Sequence, residues 1–380
     1  MKITIAGPAW PYRGGIAEFS NRLALQLLKE GHDTDVVTFT LQYPRFLFPG
    51  KSQFNDSPAP AGLKIRRAIN SVNPLNWLAT GLMINKERPD ILILRFWLPF
   101  MGPSLGTIGR LVRSNHHTRV ICIFDNVIPH EKRAGDKQLT KYFTGAIDGA
   151  IVLAKSVGED LKKIRSGIPV MFNPHPLYDN YGMKYPREHA LEALKLSPEK
   201  SYLLFFGFIR AYKGLDLLIE AFADPVLRNR NLVLLVAGEF YEDPDPYKEL
   251  IRKYNLDSEV ILIDRFIRDD EVSFFFSASD LIVQPYRSAT QSGVTQIAFH
   301  FEKPMLVTDV GGLKEIVPDG RCGYVVKPEA GAIAGAISDY FENSRKKDFT
   351  ECVKEQKEKF SWDKMTKTIL ECYTEITEIH

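Results

Sequence analysis

Two cations set three residues apart give this sequence its first chemical feature. In "FFGFIRAYKGLDLLIEAF" an apolar run ends at Phe206, and Gly207, Arg210, Lys213 and Gly214 follow before an amphipathic stretch begins. An arginine grips two phosphate oxygens at once, whereas a lysine acts as a compact point charge. At the carboxyl end of a strand, where open α/β sheets bind ligands, such a pair suits a phosphate. A second stretch, "RSATQSGVTQIAFHFEKP" (287–304), reads as a turn into a helix capped by Thr290 or Ser292, with Gly293 at its mouth. Helix starts favour Asp or Glu, yet no acid stands between Ser288 and Phe301. Its amides are then open to an external anion, and Gly293 puts no Cβ in the way. "TDVGGLKEIV" (308–317) is a third turn of this kind. Three such turns on one sheet edge suit a diphosphate better than any one does.

Turns placed like this need a parallel sheet behind them. Short apolar runs alternate with helix-like segments almost throughout, the pattern of β/α units. In the first half the strand candidates are "KITIAG", "DVVTF", "DILIL", "RVICIF", "GAIVL" and "PVMF". After a proline-bearing polar stretch at 173–190 the alternation restarts with "YLLFFGF", "NLVLLVAGE", "EVILID", "DLIVQPY", "PMLVTD" and "GYVVK". The expected fold is α/β, with two Rossmann-like, doubly wound domains, 1–185 and 186–360, facing a central cleft. The last segment, 361–380, is amphipathic, with Trp362, Met365, Ile369 and Tyr373 on one stripe. It packs either back on the first domain or on the second.

Composition narrows the class. The 380 residues are 44% apolar and 25% charged, with 49 Lys and Arg against 47 acids. That is an ordinary soluble globular balance and argues against a strongly basic nucleic-acid binder. The N-terminus runs straight into a strand, which suggests no signal peptide. The longest uncharged run, 68–85, is too polar to span a bilayer. Four scattered cysteines (Cys122, Cys322, Cys352, Cys372) suggest reduced thiols and a cytoplasmic location. The first β/α turn, "AGPAWPYRGGIAEF", has Gly7, Gly14 and Gly15 but not the GxGxxG spacing of a dinucleotide site. Asp243-Pro-Asp245 has a metal-binding look, but its prolines favour a turn and a helix cap, so no metal is expected.

Residues 201–327 resemble the nucleotide-binding half of GT-B glycosyltransferases of the retaining family often called GT4, or group 1. "GFIRAYKGLDLLIEAF" is similar to that family's diphosphate-gripping segment, and "VTDVGGLKEIVPDGRCGYVV" to its GGxxE segment. "RGGIAEFSNRLALQLLKEGHDTDVVT" resembles its glycine-rich first turn and helix. The resemblance implies sugar transfer from a nucleotide-diphosphate donor to a saccharide or lipid-linked acceptor, with retention and no cofactor beyond that donor. Arg210 and Lys213 would neutralise the leaving diphosphate, and Asp125 or His130 would orient the sugar. Gly15, Gly207, Gln291, Ser292, Gly293, Val294, Thr295, Gln296 and Glu315 would line the donor site. Glu315 would meet sugar hydroxyls or cap its own helix. The family's paired glutamates are missing, and Gln291 and Gln296 stand in their region.

Two other classes stay open: a nucleotide-sugar epimerase, and a binding protein without catalysis. On the acceptor side, apolar residues at 41–55 and 95–106, with Arg110, Arg113, His116, His117 and Arg119, fit either a membrane-proximal acceptor or ordinary burial.

Overall fold

The structure is a computed structural model that describes residues 1–44, 52–55, 58–129, 133–179, 181–228, 230–289 and 292–379. It divides into two compact units. The first comprises Met1–His175 and Ser361–His380, and the second Pro176–Phe360.

The first unit is built on β1 (Lys2–Ala6), β2 (Asp33–Leu41), β3 (Lys64–Asn70), β4 (Ile91–Phe96), β5 (Arg119–Phe124), β6 (Gly149–Val152) and β7 (Val170–Phe172). They pair in parallel in the order β3-β2-β1-β4-β5-β6-β7. Strands β4 and β5 are almost wholly buried, which is why they read as unbroken apolar runs. The helix Gly15–Lys29 follows β1 and buries Phe19, Leu23 and Leu27 along one face. It stops before Gly31, whose φ of 86° suits glycine.

The second unit repeats the plan with β8 (Ser201–Phe206), β9 (Leu232–Ala237), β10 (Val260–Ile263), β11 (Leu281–Gln284), β12 (Met305–Thr308) and β13 (Gly323–Val326). Their order is β10-β9-β8-β11-β12-β13, again all parallel. Strand order reverses between β1 and β4 in one sheet and between β8 and β11 in the other. The carboxyl ends of these strands are where such sheets take ligands.

Several expectations need correcting. Strand β3 is additional: "KIRRAIN" carries three charges, so its apolar signal is weak. It is an edge strand, and Arg66 is held by Asp35 and Glu87, both at 2.5 Å. The division falls at 175/176 rather than 185/186, because the segment after His175 joins the second unit. Leu177 donates to the Phe360 carbonyl at 2.9 Å, and Tyr178 reaches Gly293.

The helix Trp362–Ile379 lies in the first unit, where Trp362 meets Phe19 edge-on at 5.0 Å between ring centres. Its buried stripe is Trp362, Met365, Ile369, Cys372 and Ile376, with Tyr373 displaced by Cys372. Finally, Cys322 and Cys352 form a disulfide with Cα atoms 5.1 Å apart, leaving Cys122 and Cys372 as buried thiols. Spacing rules detect neighbouring cysteines, and this pair meets only because the helix Lys346–Lys357 folds beside the start of β13.

Candidate functional site

In the second unit the chain leaves β8 through Gly207, at φ 96°, and makes one 3₁₀ turn over Ala211–Lys213. It enters the helix Leu215–Phe222 through Gly214, at φ 69°. A Cβ on Gly214 would lie 2.1 Å from the Pro285 carbonyl oxygen, so only glycine lets this loop meet the end of β11. The loop after β11 is tied to the same helix, where Arg287 makes a forked pair with Asp216 at 2.6 and 2.8 Å.

This arrangement gathers the predicted cations. The Lys213 Nζ sits 3.4 Å from where a Gly207 Cβ would stand, with the Val294 methyl 3.8 Å from that same point. The Arg210 guanidinium lies 5.1 Å from the Tyr241 ring centre, and Lys213 lies 5.6 Å from that of Tyr286. Among the described residues neither cation has a carboxylate in salt-bridge range. Burial first, and Arg210 second, pull the Lys213 pKa down to about 7. An anion placed here would restore its charge.

The helix Gly293–His300 begins beside them and has no acid in its first turn, as expected. Ser292 is its cap: the side chain accepts from the Val294 N–H at 3.2 Å and lies 3.3 Å from the Tyr286 hydroxyl. Thr295 is buried and donates to the Ser292 carbonyl. The reason for glycine at 293 differs from the expected one. A Cβ there would lie 2.8 Å from the Tyr178 ring, so the space beside Gly293 is taken by protein. Gln296 is fully buried with its amide unpartnered among the described residues, and Gln284 at the end of β11 is in the same state. Glu315 is exposed, and its carboxylate makes no bond to its own short helix, Leu313–Ile316. Gln291 lies outside the described residues.

The first unit holds the other candidates. Gly15 is exposed at the start of its helix, after Gly14 at φ 103°. Asp125 directly follows β5 and is buried against Arg95 of β4, 2.6 Å from its Nη2. Burial pushes the Asp125 pKa up, and Arg95 opposes that shift. Arg95 is 1% exposed, stacks 3.8 Å over the Phe19 ring, and among the described residues keeps its Nε and Nη1 without hydrogen-bond partners. Its stem passes so near Gly7 that a Cβ there would come to 3.0 Å. Arg95 was missed from sequence, although a charge inside the apolar run "ILILRF" is the signal that could have found it. His130 lies outside the described residues. Asp243 accepts from the Asp245 N–H at 3.0 Å and Asp245 opens a helix, so this pair forms a turn.

Comparison with known proteins places this geometry. Residues 186–359 match the family described as glycosyl transferases group 1. This part of the chain is similar to the group 1 glycosyltransferases. Across nearly its whole length the chain is 24% identical to an uncharacterized glycosyltransferase of Methanocaldococcus jannaschii, covering 98% of each. Two solved structures share the fold with a TM-score of 0.75. Sucrose-phosphate synthase from Thermosynechococcus elongatus is 15% identical and covered completely on both sides. Anabaena HepE in complex with UDP is 14% identical, covering 99% of this chain and 100% of that one. The fold is therefore GT-B, two Rossmann-like α/β domains, and Arg210 and Lys213 stand at the carboxyl edge of the second unit's sheet.

Proposed function

We propose that the protein moves a sugar from a nucleoside-diphosphate sugar to a hydroxyl acceptor with retention of configuration, as a metal-independent member of the GT4 branch. The observation that carries this reading is the pair Arg210 and Lys213. They share the loop that follows Gly207, no carboxylate among the described residues neutralises them, and Lys213 is already drawn toward its neutral form. A diphosphate supplies the missing charge. As the sugar bond breaks, negative charge grows on the leaving diphosphate, and fixed cations stabilise it more than they stabilise the bound donor. The amides at the start of the helix Gly293–His300 add to that field. Ser292, Val294 and Thr295 hold that helix start in place. Asp125 is the proposed contact of the first unit to sugar hydroxyls, with Gly15 beside a turn open to substrate. Glu315, exposed and unpaired among the described residues, is proposed to meet donor hydroxyls.

Uridine diphosphate is the first donor probe, because the structurally similar Anabaena protein is a complex with UDP. Arg210→Ala and Lys213→Ala should each weaken calorimetric binding of uridine diphosphate far more than of uridine. Equal losses for both ligands would remove these residues from the phosphate site. Release of free nucleoside diphosphate only when acceptor is present separates a transferase from an epimerase and from an inactive binder. Turnover that survives chelation supports the metal-free mechanism, and loss restored by manganese overturns it. The acceptor is proposed to be a saccharide or lipid-linked saccharide of the cell surface, met in the cytoplasm. The Cys322–Cys352 bond is unusual for a reducing compartment, so thiol labelling in intact cells tests that placement.

A further inference from the structure

The Cys322–Cys352 bond joins two segments that lead to different parts of the donor site. Cys322 stands where the chain enters β13, at the end of the segment that starts at Asp309 and carries Glu315. That segment has little regular structure of its own. It holds one turn of helix, Leu313–Ile316, and a tight turn in which the Cys322 N–H donates to the Pro318 carbonyl at 3.0 Å. Lys314, Glu315, Asp319, Gly320 and Arg321 are exposed along it. Cys352 belongs to the helix Lys346–Lys357. At the far end of that helix the Lys357 Nζ donates to the His300 carbonyl at 3.0 Å. It thereby braces the helix Gly293–His300, whose first turn lies beside Lys213.

The helix Lys346–Lys357 has anchors besides the bond. Phe349 meets Tyr324 edge-on at 5.1 Å between ring centres, Val353 is fully buried, and the Lys346 Nζ lies 2.6 Å from the Asp280 carboxylate. The segment before Cys322 rests on Leu313, Ile316, Val317 and its turn hydrogen bonds. A cross-link restricts chiefly the partner that opens more easily, which here is the Glu315 segment. Thiol chemistry is also confined to this pair. Cys122 and Cys372 are buried, and burial raises the Cys122 thiol well above its ordinary pKa and the Cys372 thiol to about 12. Exchange needs a thiolate, so neither attacks the bond and an external dithiol meets a single target.

We propose that Cys322–Cys352 is a redox-operated tether, which when closed holds the Glu315 segment ready for the donor and when opened by a dithiol frees that segment and weakens donor binding. The thiolate of the dithiol attacks the sulfur of Cys352, the less buried of the two, and forms a mixed disulfide. Cys322 leaves as a thiolate and takes up a proton. The second thiolate of the dithiol then displaces Cys352, which takes up a proton in turn. Two electrons pass to the protein, which ends with two thiols, and the dithiol ends as its own disulfide. Disulfides in a reducing compartment are usually of this transient, sensing kind. The effect on donor binding rests on the function proposed above; the effect on the segment does not.

Hydrogen exchange and calorimetry on the full chain, air-oxidised and then reduced with dithiothreitol, test it. Thiol counting after denaturation should give two free thiols before reduction and four after it. Reduction should speed amide exchange across residues 309–322 and lower uridine diphosphate affinity by about fivefold, the low end of ordinary coupling between two sites. Reoxidation should restore both. Cys352→Ser should behave like the reduced wild type and ignore dithiothreitol. Four thiols in the oxidised protein, exchange unchanged by reduction, or faster exchange with unchanged affinity overturns the proposal. So does an equal response of Cys352→Ser to dithiothreitol, which would place the effect elsewhere. If neither form binds uridine diphosphate while exchange still follows the bond, the donor reading fails and the tether stands.

Discussion

Both sheets place cations beside the reversal of strand order, and they treat them in opposite ways. In the first unit Arg95 rises from the strand beside the order reversal, is fully buried, and is answered at 2.6 Å by Asp125. In the second, Arg210 and Lys213 follow the strand beside the reversal, are only half-buried, and have no carboxylate in range among the described residues. A buried charge must be paired or shed its proton. The first unit has paired its charge internally; burial raises the Asp125 pKa and Arg95 opposes that shift. The second leaves its pairing to whatever enters. The two reversals therefore differ in charge compensation, and among the described residues only the second leaves its cations without a carboxylate.

Breaking the internal pair should give the largest effect, and it should be on stability. Arg95→Met is expected to cost about 3–5 kcal/mol at neutral pH, the usual penalty for removing one partner of a buried ion pair. The pH dependence separates the partners. Without Arg95 the folded-state pKa of Asp125 rises further, so the penalty is present above that pKa and shrinks as pH falls and the carboxyl protonates. Asp125→Asn leaves an arginine that does not shed its proton, and its penalty should persist in acid. Urea melts of both variants between neutral and mildly acidic pH decide this; parallel curves would refute the charge argument.

The matching change in the second unit should spare stability and strike binding. Lys213→Met is expected to leave the melting temperature equal or higher, because it removes a desolvated amine. It should weaken uridine diphosphate binding by about 1.5–3 kcal/mol, the range for a charge-assisted hydrogen bond. A destabilised Lys213→Met with normal affinity would reverse the comparison.

Titration sharpens the same point. With a pKa near 7 in the empty protein, Lys213 is charged below that pH and neutral above it. Diphosphate affinity should therefore hold below pH 7 and fall above it, by up to about tenfold per unit, with proton uptake on binding. Calorimetry in buffers of different ionisation enthalpy measures that uptake, and Lys213→Met should abolish it. The smallest effect is expected at the cap. Ser292→Ala should cost about 1 kcal/mol, the usual value of a lost N-cap, read as a lower midpoint in urea.

Much of this arrangement was legible in the sequence, for definite reasons. The strands β8, β9, β11 and β12 are almost wholly buried, so each reads as a continuous apolar run. The loop glycines 207 and 214 announce positive φ, and the cations between them stand out. Strand β3 was hidden because an edge strand carrying Lys64, Arg66 and Arg67 pairs its charges with residues distant in sequence. Tyr178 filling the space beside Gly293 was illegible for a related reason: no local pattern connects positions 115 apart. Glycine at 293 pointed to a close approach, and the sequence did not say by what. The leucines of the helix Pro74–Glu87 were masked, in a run that read only as too polar to span a bilayer, by its asparagines. Their inward direction appears only once β3 and the helix Gly102–Arg113 are in place.

The return of residues 361–379 to the first unit has a consequence for how the molecule is made. A ribosome delivers every residue of Pro176–Phe360 before the helix that covers Phe19 and Gly149 exists. The second unit can close while the first still lacks that cover, so the half that emerges first is the half that matures last. Until then the Phe19 ring beneath the Arg95 guanidinium waits for Trp362, and a nascent chain halted near residue 360 would display that gap to chaperones.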